Sequence, residues 1–262
     1  MILLQSEEAS KVDRGGIPYA IDRKEGDLTL PDITRAAINF LTKKQGGKDG
    51  FFLMVEGGKI DWLCHANDVA FIPELIEMDD AVKVAFEFYQ QHPDETLIVV
   101  TADHETGGLV LGRGGYQLNL QAVANQRMSI SQLGTELHKL HDKYGDKYDW
   151  EVAKAFLTDN FGFWDKVQLS DDQTARLQRS FQRVLEGKGV DAKSLYQKDS
   201  EFAGTVNRVM SECARLTWGT GGHSNGYVPC FSIGVGAEQL QGRLDNTELP
   251  VRIAKAAGWQ VR

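Results

Sequence analysis

Apolar residues recur along this chain with two different periods. Ile33, Ala36, Ala37, Phe40 and Leu41 follow the three-to-four spacing of a helix with one buried face. Pro31-Asp32 is a good opening for that helix, and Gly46-Gly47 ends it. Phe51-Phe52-Leu53-Met54-Val55 is instead a short unbroken apolar run, which predicts a strand buried on both faces, as in a parallel sheet. A second helix is predicted from about Pro73 to Gln91, with Leu75, Met78, Val82, Ala85, Phe88 and Tyr89 as its apolar stripe. Thr96 to Thr101 predicts a second buried strand. The order helix, strand, helix, strand reads as βαβ architecture.

Residues 112–218 break this rhythm. They are polar and mostly helical in pattern, at Ile130 to Tyr144, Trp150 to Phe161 and Thr174 to Leu185. The sheet pattern returns at Val228 to Val235. A last helix, about Asn246 to Ala257, closes at Gly258, a C-cap residue. The expected fold is therefore α/β, a parallel-rich sheet flanked by helices with a helical insertion. Residues 1–111 and 219–262 form its core and 112–218 the insertion. Residues 5–30 read as a polar, turn-rich surface connection. There is no internal repeat and no low-complexity tract.

Composition narrows the classes of function. Of 262 residues, 42% are hydrophobic and 25% charged, as in soluble globular proteins. A net charge of −8 argues against binding a phosphate backbone, so no nucleic-acid partner is expected. No apolar run is long enough to span a bilayer, so no membrane partner is expected either. The N-terminus, Met1-Ile2-Leu3-Leu4, turns polar at once and lacks the shape of a signal peptide. Cys64, Cys213 and Cys230 are odd in number and widely spaced, which predicts unpaired thiols.

The residues suited to chemistry cluster at the carboxyl ends of the predicted strands, where open α/β sheets bind their ligands. Glu56 ends the first strand, and Asp103 and His104 end the second. Asp61 and His65 are four apart, so one helical turn puts both on one face. A carboxylate and an imidazole suit zinc, and a further histidine such as His223 completes three protein ligands with one position open. Asp103 and His104 can grip a second ion. Two ions roughly 3.5–4 Å apart can clamp the attacking and leaving oxygens of a phosphoryl transfer. His92, His138 and His141 sit in polar helical stretches or at a helix end and read as surface residues.

Taken together, these segments resemble the alkaline phosphatase family. Val55-Glu56-Gly57-Gly58-Lys59-Ile60-Asp61-Trp62-Leu63-Cys64-His65 is similar to the segment in which a Glu ends a strand and Ile-Asp-x-x-x-His follows. Val100-Thr101-Ala102-Asp103-His104-Glu105-Thr106-Gly107-Gly108 resembles the second metal segment, and Gly222-His223-Ser224 the late Gly-His-Ser/Thr. The resemblance covers residues 17–111 well and 219–258 fairly well.

The resemblance implies two Zn2+ and one Mg2+. Asp61, His65 and His223 would hold the first zinc, Asp103 and His104 the second, and Glu56 the magnesium. It implies an alkaline-phosphatase-like fold, hydrolysis of phosphate monoesters through a phosphoserine, a homodimer, and a periplasmic or secreted full-length protein. Trp62 is expected to wall the substrate pocket. The family's early bridging Asp, its nucleophile segment, its magnesium-binding Thr or Ser and its phosphate-clamping Arg have no match here. Ser6 and Ser10 do not fit the nucleophile pattern. The chain therefore reads as a carboxyl-terminal portion with no catalytic nucleophile of its own, inactive alone and prone to associate through an open sheet edge. The alternatives are a related metallohydrolase (phosphodiesterase, sulfatase or phosphoglycerate mutase) and a non-catalytic metal-binding fragment. The Glu-Gly-Gly-Lys-Ile-Asp run argues against the first of these.

Overall fold

A computed structural model of the chain describes residues 17–44, 50–189, 192–193 and 198–260. Gly46-Gly47, Ser6 and Ser10 lie outside the described residues. Helix α1 spans Leu30–Lys44, α2 Gly58–His65 and α3 Phe71–Gln91. Strands β1 (Leu97–Val100), β2 (Glu105–Thr106) and β3 (Val110–Leu111) follow. Helices α4 (Leu120–Val123), α5 (Ile130–Tyr144), α6 (Trp150–Phe161) and α7 (Asp171–Leu185) come next. The chain continues through β4 (Ala192–Lys193), β5 (Lys198–Asp199), α8 (Glu201–Cys213), β6 (Leu216–Thr217), β7 (His223–Ser224) and β8 (Phe231–Gly234) to α9, Glu248–Ala256.

The mixed α/β class holds, but the strand pairing differs from expectation. The four described ladders are two-stranded and antiparallel, joining β1 to β8, β2 to β7, β3 to β6 and β4 to β5. The parallel-rich sheet read from the apolar runs is corrected accordingly. Residues 51–55 are not a strand, because a strand needs a neighbour to accept and donate its ladder hydrogen bonds. Their side chains nevertheless alternate. Phe51 packs on Phe88 with ring centroids 5.9 Å apart, while Phe52 and Met54 remain exposed.

The buried face of α3 is also offset from its predicted stripe. Phe71, Glu74, Glu77, Ala81 and Val84 point inward, and Leu75 is exposed. The two glutamates can be buried because residues 18–30 supply partners for them. Ala20 N–H donates to Glu74 Oε1 at 2.6 Å, Arg23 forks onto both oxygens of Glu77, and Leu30 N–H donates to Glu77 Oε1 at 2.8 Å. A buried carboxylate costs several kcal/mol unless it is paired in this way.

The three helices predicted between residues 112 and 218 match their expected spans closely, and their caps explain why. Ser129 and Asp149 accept from the backbone N–H of Gln132 and Val152 at the starts of α5 and α6. Ser170 and Gln173 form a reciprocal capping box that starts α7 three residues before the expected Thr174. Helix α8 was not anticipated, and its residues are almost wholly buried. The larger apolar cluster draws on α5 to α8, with Leu157, Phe161, Leu177, Val206 and Met210 inaccessible or nearly so. The β3–β6 ladder pairs Val110 with Thr217 and so ties the two ends of this stretch together.

One carboxylate pins this helical stretch to the rest. Asp68 is fully buried and accepts from Ala70 N–H, Gln126 Nε2 and Ile130 N–H at 2.9, 2.9 and 2.7 Å. Beside it, Asp22 accepts from Ser129 N–H at 2.8 Å and from Ser129 Oγ at 2.5 Å. Burial raises the pKa of both carboxyls, that of Asp22 to about 6, and each one's hydrogen bonds oppose the rise.

Candidate metal centre

The candidate ligands come from three distant segments, and each is delivered by local structure. Helix α2 presents Asp61 and His65 one turn apart, with Asp61 Oδ1 and His65 Nε2 at 3.4 Å. His223 arrives on β7, which pairs with β2 so that Thr106 stands opposite His223 and Glu105 opposite Ser224. Backbone bonds lock this crossing: Gly107 N–H donates to Gly222 O at 2.9 Å and Gly219 N–H to Gly107 O at 2.9 Å. Gly107 has φ +92°, and a Cβ there would stand 2.7 Å from the Trp218 ring, so only glycine fits. Glu105 reinforces the crossing. Its Oε1 accepts from Gly108 N–H at 2.9 Å and its Oε2 from Ser224 Oγ.

Asp61, His65 and His223 form a compact triangle whose ligand atoms all lie within 4.8 Å of one another. Its edges are 3.4 Å from Asp61 Oδ1 to His65 Nε2, 3.1 Å between the two Nε2 atoms, and 3.8 Å from His223 Nε2 to Asp61 Oδ1. Two ligand atoms each about 2.0–2.1 Å from a tetrahedral zinc stand about 3.3–3.4 Å apart. The triangle therefore fits such an ion to within a few tenths of an ångström.

The protons support the same reading. His65 Nδ1 lies 2.8 Å from Gly221 O, and a carbonyl oxygen can only accept. The Nδ1 atom must carry the proton, which leaves a lone pair on Nε2 of the neutral ring. That lone pair faces His223 Nε2 and Asp61 Oδ1. Such a convergence of acceptors is favourable only with a cation or a proton at its centre. His65 is buried, whereas His223 and Asp61 are partly open to solvent, so the triangle is backed by protein on one side and open on the other.

The remaining candidates lie around this triangle. The His104 ring stacks on His223 with centroids 3.5 Å apart, and its Nε2 lies 3.3 Å from Asp103 Oδ2, another edge of the length a metal site requires. Asp103 itself is largely exposed. Glu56 is exposed before α2, its carboxylate turned toward Gly58, and is not part of the triangle. Trp62 packs beside the Tyr19–Leu63 cluster, with Lys59 Nζ 5.2 Å from its ring. None of the three cysteines is joined in a disulfide, and burial pushes the Cys64 thiol up to about 12, with the charges of Asp61, Glu105 and Asp68 adding to the rise.

Sequence reasoning missed Thr106, Glu105 and Gly221. Thr106 and Gly221 are not ligand-type residues, and nothing in the spacing of the carboxylate Glu105 sets it apart from its neighbours. All three act on the ligands or on the strands that carry them.

The family model for alkaline phosphatase matches residues 12–259. Alkaline phosphatase 3 of Bacillus subtilis is 31% identical over 250 residues, which are 95% of this chain and 48% of that protein. The repressible alkaline phosphatase of Saccharomyces cerevisiae is 29% identical over 254 residues, 89% of this chain and 42% of that protein. Among solved structures, a cold-active alkaline phosphatase from Shewanella sp. superposes with a TM-score of 0.70 at 27% identity, covering 91% of this chain and 52% of that one. A TAB5 alkaline phosphatase variant with magnesium bound shares the fold at a TM-score of 0.51 and 23% identity. The chain thus spans about half the length of the relatives it matches.

Proposed function

Since this chain belongs to the alkaline phosphatase family, we propose that it forms the metal-holding part of a phosphate monoesterase. The observation that carries the proposal is the Asp61–His65–His223 triangle, assembled from residues up to 162 positions apart with edges that suit zinc. In this reading Asp61, His65 and His223 hold one zinc, Asp103 and His104 a second, and Glu56 a magnesium.

Bound ions of this kind supply positive charge against phosphate oxygens. The chain's own residues do the holding and orienting. Gly221 O fixes the His65 ring and its tautomer. The stacking of His104 on His223 brings the two ligand sets side by side. Glu105 and Gly107 keep β7 against β2, so His223 faces His65. Glu56 enters on the family resemblance alone. Trp62 is read as part of the wall beside the substrate.

The substrate class is a phosphate monoester, and the family resemblance makes the acceptor a serine, in a segment that nothing in this sequence matches. The complete protein is read as a homodimer, periplasmic or secreted. Residues 1–111 and 219–262 form the phosphatase-like core and 112–218 the insertion, a division supported by the β3–β6 ladder at its neck.

Zinc per chain, measured by elemental analysis after loading and desalting, tests the proposal. The wild type is expected to retain at least one zinc and His223→Ala to retain less, with matching circular dichroism. Negligible zinc in a folded wild type would overturn it. The isolated chain is expected to release little p-nitrophenol from p-nitrophenyl phosphate.

A further inference from the structure

Thr106 lies between the two candidate ligand sets without being a ligand of either. Its Oγ1 is 2.5 Å from Asp61 Oδ1 and 3.1 Å from His104 Nδ1. A carboxylate oxygen can only accept, so the hydroxyl proton goes to Asp61. The hydroxyl's remaining lone pairs then accept from His104, which requires a proton on Nδ1 of that ring. In the neutral ring this leaves a lone pair on Nε2, the atom 3.3 Å from Asp103 Oδ2. On the backbone, Thr106 is also the ladder partner of His223. One side chain therefore orients the Asp61 carboxylate and sets the His104 tautomer, on the residue that delivers His223.

We propose that Thr106 is a positioning residue that couples the two cation sites, so that disturbing its hydroxyl weakens both. The inference rests on the reading of Asp61, His65, His223, Asp103 and His104 as metal ligands. Partners that orient ligands in this way typically contribute about 10–100-fold in metal affinity. Glu105 cannot substitute for this role, because its carboxylate is committed to Gly108 N–H and Ser224 Oγ.

The test compares wild type, Thr106→Ser and Thr106→Val on the full chain. Valine keeps the shape and removes the hydroxyl; serine restores it. Nitrogen-15 NMR of the histidine rings in the metal-free chain reads the tautomer. His104 is expected as Nδ1–H in wild type and Thr106→Ser, and to lose that preference in Thr106→Val. Chelator competition with zinc reads the affinity, expected about 10–100-fold weaker in Thr106→Val and restored in Thr106→Ser. Equal zinc affinity in all three, or an unchanged His104 tautomer in Thr106→Val, would overturn the proposal and leave the metal reading intact. Absence of zinc binding by the folded wild type would overturn both.

Discussion

His65 Nε2 and His223 Nε2 stand 3.1 Å apart although 158 residues separate them in the chain. His65 comes from a short helix and His223 from a two-residue strand. The fold alone brings these two imidazole nitrogens to this distance. Removing His65 should therefore cost more than removing an orienting partner. His65→Ala is expected to weaken zinc binding by at least about 100-fold, measured by chelator competition, since even outer partners contribute about 10–100-fold. Wild-type affinity in the variant would exclude His65 as a ligand.

The crossing of β2 and β7 depends on Gly107. A Cβ at φ +92° would sit 2.7 Å from the Trp218 ring and 3.1 Å from Cys64 O. Gly107→Ala is expected to destabilise the chain by about 1–3 kcal/mol, the scale of one strained backbone position, and to lower zinc affinity with it. Urea denaturation and zinc competition on the same samples check both. A loss of stability with unchanged zinc affinity would show that the site does not depend on this crossing.

Asp22 gives the chain a specific pH response. Burial raises its carboxyl from 3.8 to about 6, so the folded state binds the proton more tightly than the unfolded state. This contribution to stability is fully present below pH 3.8 and is lost as pH rises through about 6. It amounts to something on the order of 2–3 kcal/mol. Asp22→Asn should remove it. Thermal melts between pH 4 and 7 are expected to show the variant gaining on wild type as pH rises. Parallel curves would refute the assignment.

Core truncation should act on the helical stretch. Leu157 is inaccessible to solvent within the larger apolar cluster. Leu157→Ala is expected to cost about 2–5 kcal/mol of unfolding free energy in urea titrations, from lost burial and the cavity left behind. A cost under about 1 kcal/mol would mean that the cluster collapses around the deletion.

The β1–β8 ladder leaves Phe231 64% exposed, and Phe52 and Met54 are 60% and 78% exposed. Large exposed apolar side chains beside a short two-stranded ladder favour association. The wild type is expected to run above the mass of one chain in light scattering, and Phe231→Lys to shift it downward. A monodisperse single chain at every concentration would remove this expectation.

Much of the local structure was legible in the sequence. The spans of α5 and α6 follow from helical periodicity and from caps at Ser129 and Asp149. The Asp61–His65 pair follows from the geometry of one helical turn. The buried face of α3 was not legible in this way, because it includes Glu74 and Glu77, whose burial depends on Ala20, Arg23 and Leu30 some fifty residues away. The apolar run at 51–55 predicts a strand, but a strand is defined by its partner and the run itself names none.

By itself, then, the sequence determined which family the chain belongs to and where most helices begin and end, and it singled out the candidate metal ligands. These depend on side-chain chemistry and on contacts within a turn or two. Only the tertiary structure decided that His223 meets His65, that β1 pairs antiparallel with β8, and that Thr106 lies between Asp61 and His104. Those relationships are made between residues far apart in the chain, and nothing in local spacing encodes which distant segments will meet.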